Sequence, residues 1–203
     1  QVYHPPGQLG GATLFHLYVP ILGSFVIGMI ALCSLPGPLA SYREQGILRR
    51  PSTTPAPRAW VLAAQVLINL VLVVIGLVVV GVVAYGLAAP QEPGGLVLSV
   101  ALSIAALFAI GLLIAAVMPT ARGAAALGSL TFFPLIFFAG LWVPRQVMPT
   151  VLQHISNYTP LGASVQAVQD SMQGAFPPAA SLLVLAGYAV VFALLAWRLF
   201  RWE

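Results

Sequence analysis

The polar chemistry of this sequence is concentrated in one stretch. Residues 41–50 read Ser-Tyr-Arg-Glu-Gln-Gly-Ile-Leu-Arg-Arg, and a proline-rich strap, 51–58, follows and ends in Arg58. Together they hold four of the eight arginines in the chain: Arg43, Arg49, Arg50 and Arg58. Ser41 and Glu44 have the S-x-x-E spacing of a capping box, in which two side chains satisfy each other's backbone N–H groups at a helix start. Pro51 has no N–H and its ring clashes with the preceding turn, so a helix must stop there. The expected element is a short capped helix followed by a stiff strap. Its chemistry is hydrogen bonding and ion pairing, not bond making. It is either a handle that a soluble partner grips or a basic loop that only sets orientation.

Other groups capable of chemistry are sparse. Ser103 and Ser129 lie in apolar runs, while His4, His16 and His154 fall near the opposite side of the bilayer from the arginine stretch, so no nucleophile has a base near it. No metal-ligand spacing appears. The single cysteine, Cys33, sits in an apolar run and reads as packing. The chain has no lysine, so it cannot contain a G-x-x-x-x-G-K-[ST] phosphate loop. The expectation is not an enzyme, with no metal or cofactor held by this chain. Any ATP and Mg would be bound by another polypeptide.

The elements that position these groups follow from composition. Of 203 residues, 60% are hydrophobic and 6% charged. A soluble domain carries about 25% charged residues, so lipid must cover most of this surface. A net charge of +4 carries no nucleic-acid signal here, because the arginines fall in loops between greasy runs. Five charge-poor segments are expected to span: 13–35, 60–89, 96–117, 123–143 and 178–197. At ~1.5 Å per residue, about 20 residues cross a hydrocarbon core of ~30 Å. Pro36-Gly37-Pro38 is read as ending the first span and Pro90 to Gly95 as a tight turn. Gln65 and Asn69 stand one helical turn apart, which turns that face toward another helix rather than lipid.

Residues 144–174 differ from the rest. Thr159 can cap a helix and Pro160 can take its first position. Leu161, Val165, Val168 and Met172 then follow one face, with Gln166, Gln169, Asp170 and Gln173 on the other. That pattern predicts an amphipathic helix lying at the interface or dipping partway in, with a shorter companion over 148–157. The fold class is therefore an all-α membrane protein forming a single domain over 1–203. It has five spans, a coupling segment at 41–58 and two short outer helices in 145–174.

Arginine placement predicts the orientation. Five alternating spans put seven of the eight arginines on one side and Arg145 alone on the other. The positive-inside rule then makes 41–58 and the C-terminus cytoplasmic and 145–174 external; the Arg-only, Ala-rich usage fits a bacterial source, and hence a bacterial plasma membrane. Gln1 would be outside, so one preceding span is expected. No span carries an ionisable residue in its core, which removes the usual means of ion or proton coupling and points to an external energy source.

Two segments carry a family resemblance. Arg43 to Arg50, then Thr53-Thr54-Pro55-Ala56-Pro57 and a span led by Trp60, resembles the coupling region of ABC exporter permeases of the type 2 class. Phe137-Phe138-Ala139-Gly140-Leu141-Trp142-Val143-Pro144, Met148-Pro149 and the run from Leu152 to Gly162 is similar to the same family's segment before the last span. The nearest flavour is the bacterial drug-resistance permease of the daunorubicin-exporter kind. The resemblance implies six spans per subunit, a second permease protomer of the same or another kind and two ATP-binding subunits. It assigns Tyr42, Arg43, Glu44, Gln45, Leu48, Arg49 and Arg50 to ATPase coupling. It assigns Phe25, Phe132, Phe133, Phe137 and Phe138 to a path for a small lipophilic compound or lipid, and 145–174 to helices that shut the outer exit. The function implied is the membrane subunit of an ATP-driven exporter. The alternative is a non-transporting scaffold or passive channel.

Overall fold

The computed structural model describes residues 11–45, 59–85, 92–142 and 148–199. All regular structure among them is helical. The elements are α1 (Gly11–Met29), a π-turn (Ile30–Ser34), α2 (Pro36–Glu44), α3 (Ala59–Tyr85), α4 (Pro93–Val117), α5 (Ala121–Ala139), α6 (Thr150–Tyr158), α7 (Pro160–Met172) and α8 (Ala179–Leu199). Among the described residues, five segments are long and apolar enough to cross a membrane: Tyr18–Glu44, Leu62–Val83, Pro93–Val117, Ala121–Ala139 and Ala179–Leu199.

The first of these overturns an expectation. Pro36-Gly37-Pro38 does not end the span. Both prolines fall in the first turn of α2, where a missing N–H costs least, and the chain runs on helically to Glu44. The join is a π-turn, and Pro36 explains it. The Leu35 N–H bonds Ile30 O at 3.0 Å instead of Ala31 O. The next possible donor to Ala31 O is residue 36, which as proline has none. Leu32 O loses its α-helical donor for the same reason. The two carbonyls turn outward to neighbouring helices. A methyl group at Gly111 on α4 would overlap Ala31 O, and one at Gly128 on α5 would overlap Leu32 O. Only glycine lets these backbones come so close, and its Cα–H groups are weak donors to such oxygens.

The α4 helix likewise starts earlier than expected. Pro93 is in its first turn, so Gly94 and Gly95 are helical rather than part of a turn. A Cβ at Gly95 would press on Pro177, just before α8. Further down, Ala106 and Leu185 share a small buried cluster. The helices α4 and α8 therefore run in the same direction in close contact. By contrast, 56% of the apolar window of α4 is buried but only 11% of that of α3. The α3 helix packs on α1 and the π-turn and leaves its other faces open.

The short helix α7 is more deeply enclosed than its amphipathic pattern alone implies. Thr159 does cap it, its hydroxyl accepting from Gly162 N at 3.2 Å, with Pro160 in the first turn. Of the two expected placements it takes the second, set into the bundle rather than laid along its surface. Pro160 to Val165, Ala167, Val168 and Ser171 are all buried, and α7 touches α1, α4, α5, α6 and α8. The amphipathic pattern was real, but small residues on its flanks (Gly162, Ala163, Ser164, Ala167) let helices close in from several sides. Its polar residues Gln166, Gln169 and Asp170 are only partly covered, and Gln173 is exposed.

Candidate functional site

The C-terminal tip of α2 is a two-point latch. Arg43 Nη1 donates to Ala116 O at 2.8 Å, and Ala121 N donates to a Glu44 carboxylate oxygen at 3.0 Å. Ala116 lies in the last turn of α4 and Ala121 is the first residue of α5. A helix leaves unpaired carbonyls at its C-terminus and unpaired N–H groups at its N-terminus. It also carries partial negative charge at the former and positive at the latter. Arg43 and Glu44 therefore each meet the helix end of opposite sign. Thr120 adds a local cap, its hydroxyl accepting from Gly123 N at 3.1 Å.

This geometry replaces the capping box. Ser41 sits in the last turn of a helix that begins at Pro36, so it caps nothing. Its hydroxyl accepts from Gln45 Nε2 at 2.9 Å. Glu44 caps the start of α5, 77 residues away in sequence, rather than its own helix. Tyr42 is half-buried and Gln45 exposed. Leu48, Arg49 and Arg50, with the strap to Arg58, lie outside the described residues. Sequence spacing could suggest that Glu44 caps a helix but carried no sign of which one.

The aromatic residues divide into two sets. Phe25 on α1 and Phe132 on α5 have ring centroids 5.5 Å apart, and Phe132 is 6.1 Å from Phe133. Phe137 and Phe138 form a separate edge-on pair at 5.6 Å. Among the described residues no ring contact joins the sets. Phe132 is 5% exposed, so it is core, whereas Phe133 at 63% faces outward. Two concavities lie elsewhere. One of about 600 Å³ between α3 and α4 is lined by Val, Leu, Ile, Ala and Gly only. Another, of about 400 Å³, is lined by Tyr158 of α6 and by Leu183, Val184, Gly187, Tyr188, Val191 and Phe192 of α8.

Hydroxyls bolt α6 and α7 into the bundle. Ser24 on α1 and Ser164 on α7 share a buried hydrogen bond of 2.9 Å. Ser156 of α6 donates to Phe138 O at 2.6 Å, satisfying a carbonyl in the last turn of α5. Gly140, at φ 93°, ends that helix in the left-handed region that glycine adopts most easily. None of these serines stood out in the sequence, because a serine in an apolar run more often bonds its own helix, as Ser99, Ser103 and Ser171 do here. Asn69 is buried, as expected of its face, on the helix that packs on α1 and the π-turn. Its amide donates to Gln65 O at 2.9 Å, and its Oδ1 has no partner.

A multi-pass helical domain with a polar latch at one end and a buried short helix at the other, and no charged residue within its described cores, has the makings of a transport subunit driven from outside the membrane. The family model for the ABC-2 type transporter matches residues 5–173, and the chain belongs to that family. Membership makes it the membrane component of an ABC transporter and implies an ATP-binding partner subunit. No curated protein and no solved structure matched the chain.

Proposed function

We propose that this chain is the membrane subunit of an exporter that moves a lipophilic, drug-like compound or a lipid out of a bacterial cell while a separate subunit hydrolyses ATP. The arginine-bearing end is cytoplasmic and α6–α7 external, in keeping with the arginine distribution. Two ATP-binding subunits and a second permease protomer complete the complex. ATP and Mg are held by the partner.

The observation that carries this reading is the latch. The tip of α2 is hydrogen-bonded to both α4 and α5. A partner that pushes on residues 41–58 therefore moves three spans at once. Arg43 and Glu44 act inside the membrane subunit, passing on a displacement. Tyr42, Gln45, Leu48, Arg49 and Arg50 are left to meet the ATPase. The outward-facing Phe133 and Phe137, backed by Phe25, Phe132 and Phe138, offer a surface free of acidic groups that suits neutral or amphiphilic compounds.

The test is vesicle uptake. The full chain is co-expressed with its ATP-binding subunit, reconstituted, and assayed with a panel of fluorescent lipophilic compounds. ATP-dependent accumulation that needs both subunits is expected. Uptake by this chain alone without ATP, or failure to co-purify with any ATPase, would sink the reading.

A further inference from the structure

The π-turn at Ile30–Ser34 divides one membrane rod into an outer arm, α1, and an arm carrying the latch, α2. The break is built from three sides. Pro36 removes the donor that Leu32 O and Ala31 O would need. Gly111 and Gly128 supply the only kind of residue against which those oxygens can lie. The third side is α3. Gly23 faces Leu77, and Gly76 faces Val26, so α1 and α3 are antiparallel. Continuing that register brings Asn69 to the level of the π-turn, which α3 touches. Asn69 Oδ1 is buried there without a partner. One layer of the bundle thus collects two backbone oxygens deprived of helical donors and an unpaired amide oxygen.

Lipid offers no water to satisfy such groups, and a well-packed rod has no need of them. A π-turn holds one residue more than the α-turn it replaces. Closing it to an α-turn while the outer arm stays fixed would turn everything beyond it by about 100°, the angular step of one helical residue. The part that would turn is α2, with Arg43 and Glu44 at its end.

We propose that the π-turn, seated on Gly111 and Gly128, is the hinge through which α2 moves relative to α1 in the transport cycle. This rests on the transporter reading above. Gly111 and Gly128 are positioning residues: they hold the turn open in the state described here, and α4 and α5 sense its closure directly because their glycines touch its carbonyls. The latch and the hinge then sit at the two ends of one short lever, Pro36–Glu44.

The experiment uses the full chain with its ATPase in proteoliposomes. Spin labels are placed at Tyr18→Cys on α1 and Gly37→Cys on α2, where an added side chain meets open space, in a Cys33→Ser background, and their separation is measured without nucleotide and with ATP trapped. A second chain also lacks Ser34, which shortens the π-turn to an α-turn while leaving both arms in register. In the parent, a nucleotide-dependent change of several ångström is expected. In the shortened chain, we expect membrane insertion and ATPase binding to be retained, the label separation to be fixed, and uptake to fall at least tenfold. A shortened chain that moves and transports like the parent overturns the hinge. A parent that transports with unmoving labels overturns the hinge while the transporter reading stands. A parent that binds no ATPase and transports nothing overturns both. Should the shortened chain fail to insert, Gly111→Ala and Gly128→Ala serve instead. Both are expected to alter the label separation in the nucleotide-free state, and an unchanged separation in both overturns the seating role.

Discussion

Arg43 and Glu44 are adjacent in the chain yet bind the facing ends of two different helices, Ala116 O of α4 at 2.8 Å and Ala121 N of α5 at 3.0 Å. Each charge is opposite in sign to the helix end it meets. The pair closes the α4–α5 connection from the side, with Thr120 capping from within it.

That arrangement predicts a graded series. Glu44→Ala removes a cap and a favourable charge at a helix N-terminus, a loss of about 1 kcal/mol. Glu44→Gln keeps an acceptor and should lose less. Exchanging the two, with Arg43→Glu and Glu44→Arg together, sets like against like at both helix ends and should be worst. Insertion should survive in all three, while uptake per ATP hydrolysed falls least for Glu44→Gln, further for Glu44→Ala and most for the exchange. Equal coupling ratios across the series would remove the latch from the mechanism.

Ser24 and Ser164 give a smaller effect. Hydrogen bonds between membrane helices average about 0.6 kcal/mol in double-mutant cycles. Serine hydroxyls also have a fallback on their own helix carbonyls. Ser24→Ala and Ser164→Ala should each cost about 1 kcal/mol or less in thermal unfolding in detergent, and the double variant less than their sum. Strict additivity would show that the bond contributes nothing.

The two neighbouring phenylalanines should part company. Phe132→Ala empties a buried site and should destabilise by about 3 kcal/mol or more. Phe133→Ala removes an outward ring and should change stability by less than about 0.5 kcal/mol. If Phe133 meets substrate, its variant shifts the concentration dependence of uptake at unchanged protein level. Identical uptake curves for Phe133→Ala and the parent would take it off the path.

Asn69 offers a test in the opposite direction. Its Oδ1 is buried and unpaired, and such a group costs about 1–3 kcal/mol. Asn69→Leu keeps the same branched outline of side-chain heavy atoms without the polar groups and should raise the unfolding temperature. A fall would mean that the amide makes a bond essential to the fold.

The tight turn between α6 and α7 is as demanding. A Cβ at Gly162 would overlap Ser156 O and crowd Thr159 Oγ1, so Gly162→Ala should prevent α7 from docking. Thr159→Ala, which removes the hydroxyl that donates to Ser156 O and accepts from Gly162 N, should cost about 1 kcal/mol. Limited proteolysis at the α6–α7 turn would separate the two, with rapid cleavage expected only for the glycine variant.

Much of this was readable beforehand, and the failures have a common cause. Runs without charge are enough to find five spans, because lipid tolerates little else. Thr159-Pro160 announces a helix start through purely local chemistry. What could not be read depends on partners distant in sequence. Pro36 looks like a terminator until Gly111 and Gly128 are known to accept the carbonyls it displaces. Ser41 and Glu44 look like a local cap until Ala121 is found beside Glu44. Residues 160–171 can be read as lying at the interface or dipping in, because periodicity records polarity but not how many small-residue faces will be covered.

The central place of α7 has a consequence for biogenesis. Its partners α1, α4 and α5 leave the ribosome before it, and α8 leaves after it. The earlier spans must wait in the membrane around a core they cannot yet complete. Topology is settled span by span, whereas tight closure of the bundle comes only when this late, short segment enters from its own side. A nascent chain halted before residue 160 should therefore be correctly threaded and still loosely held.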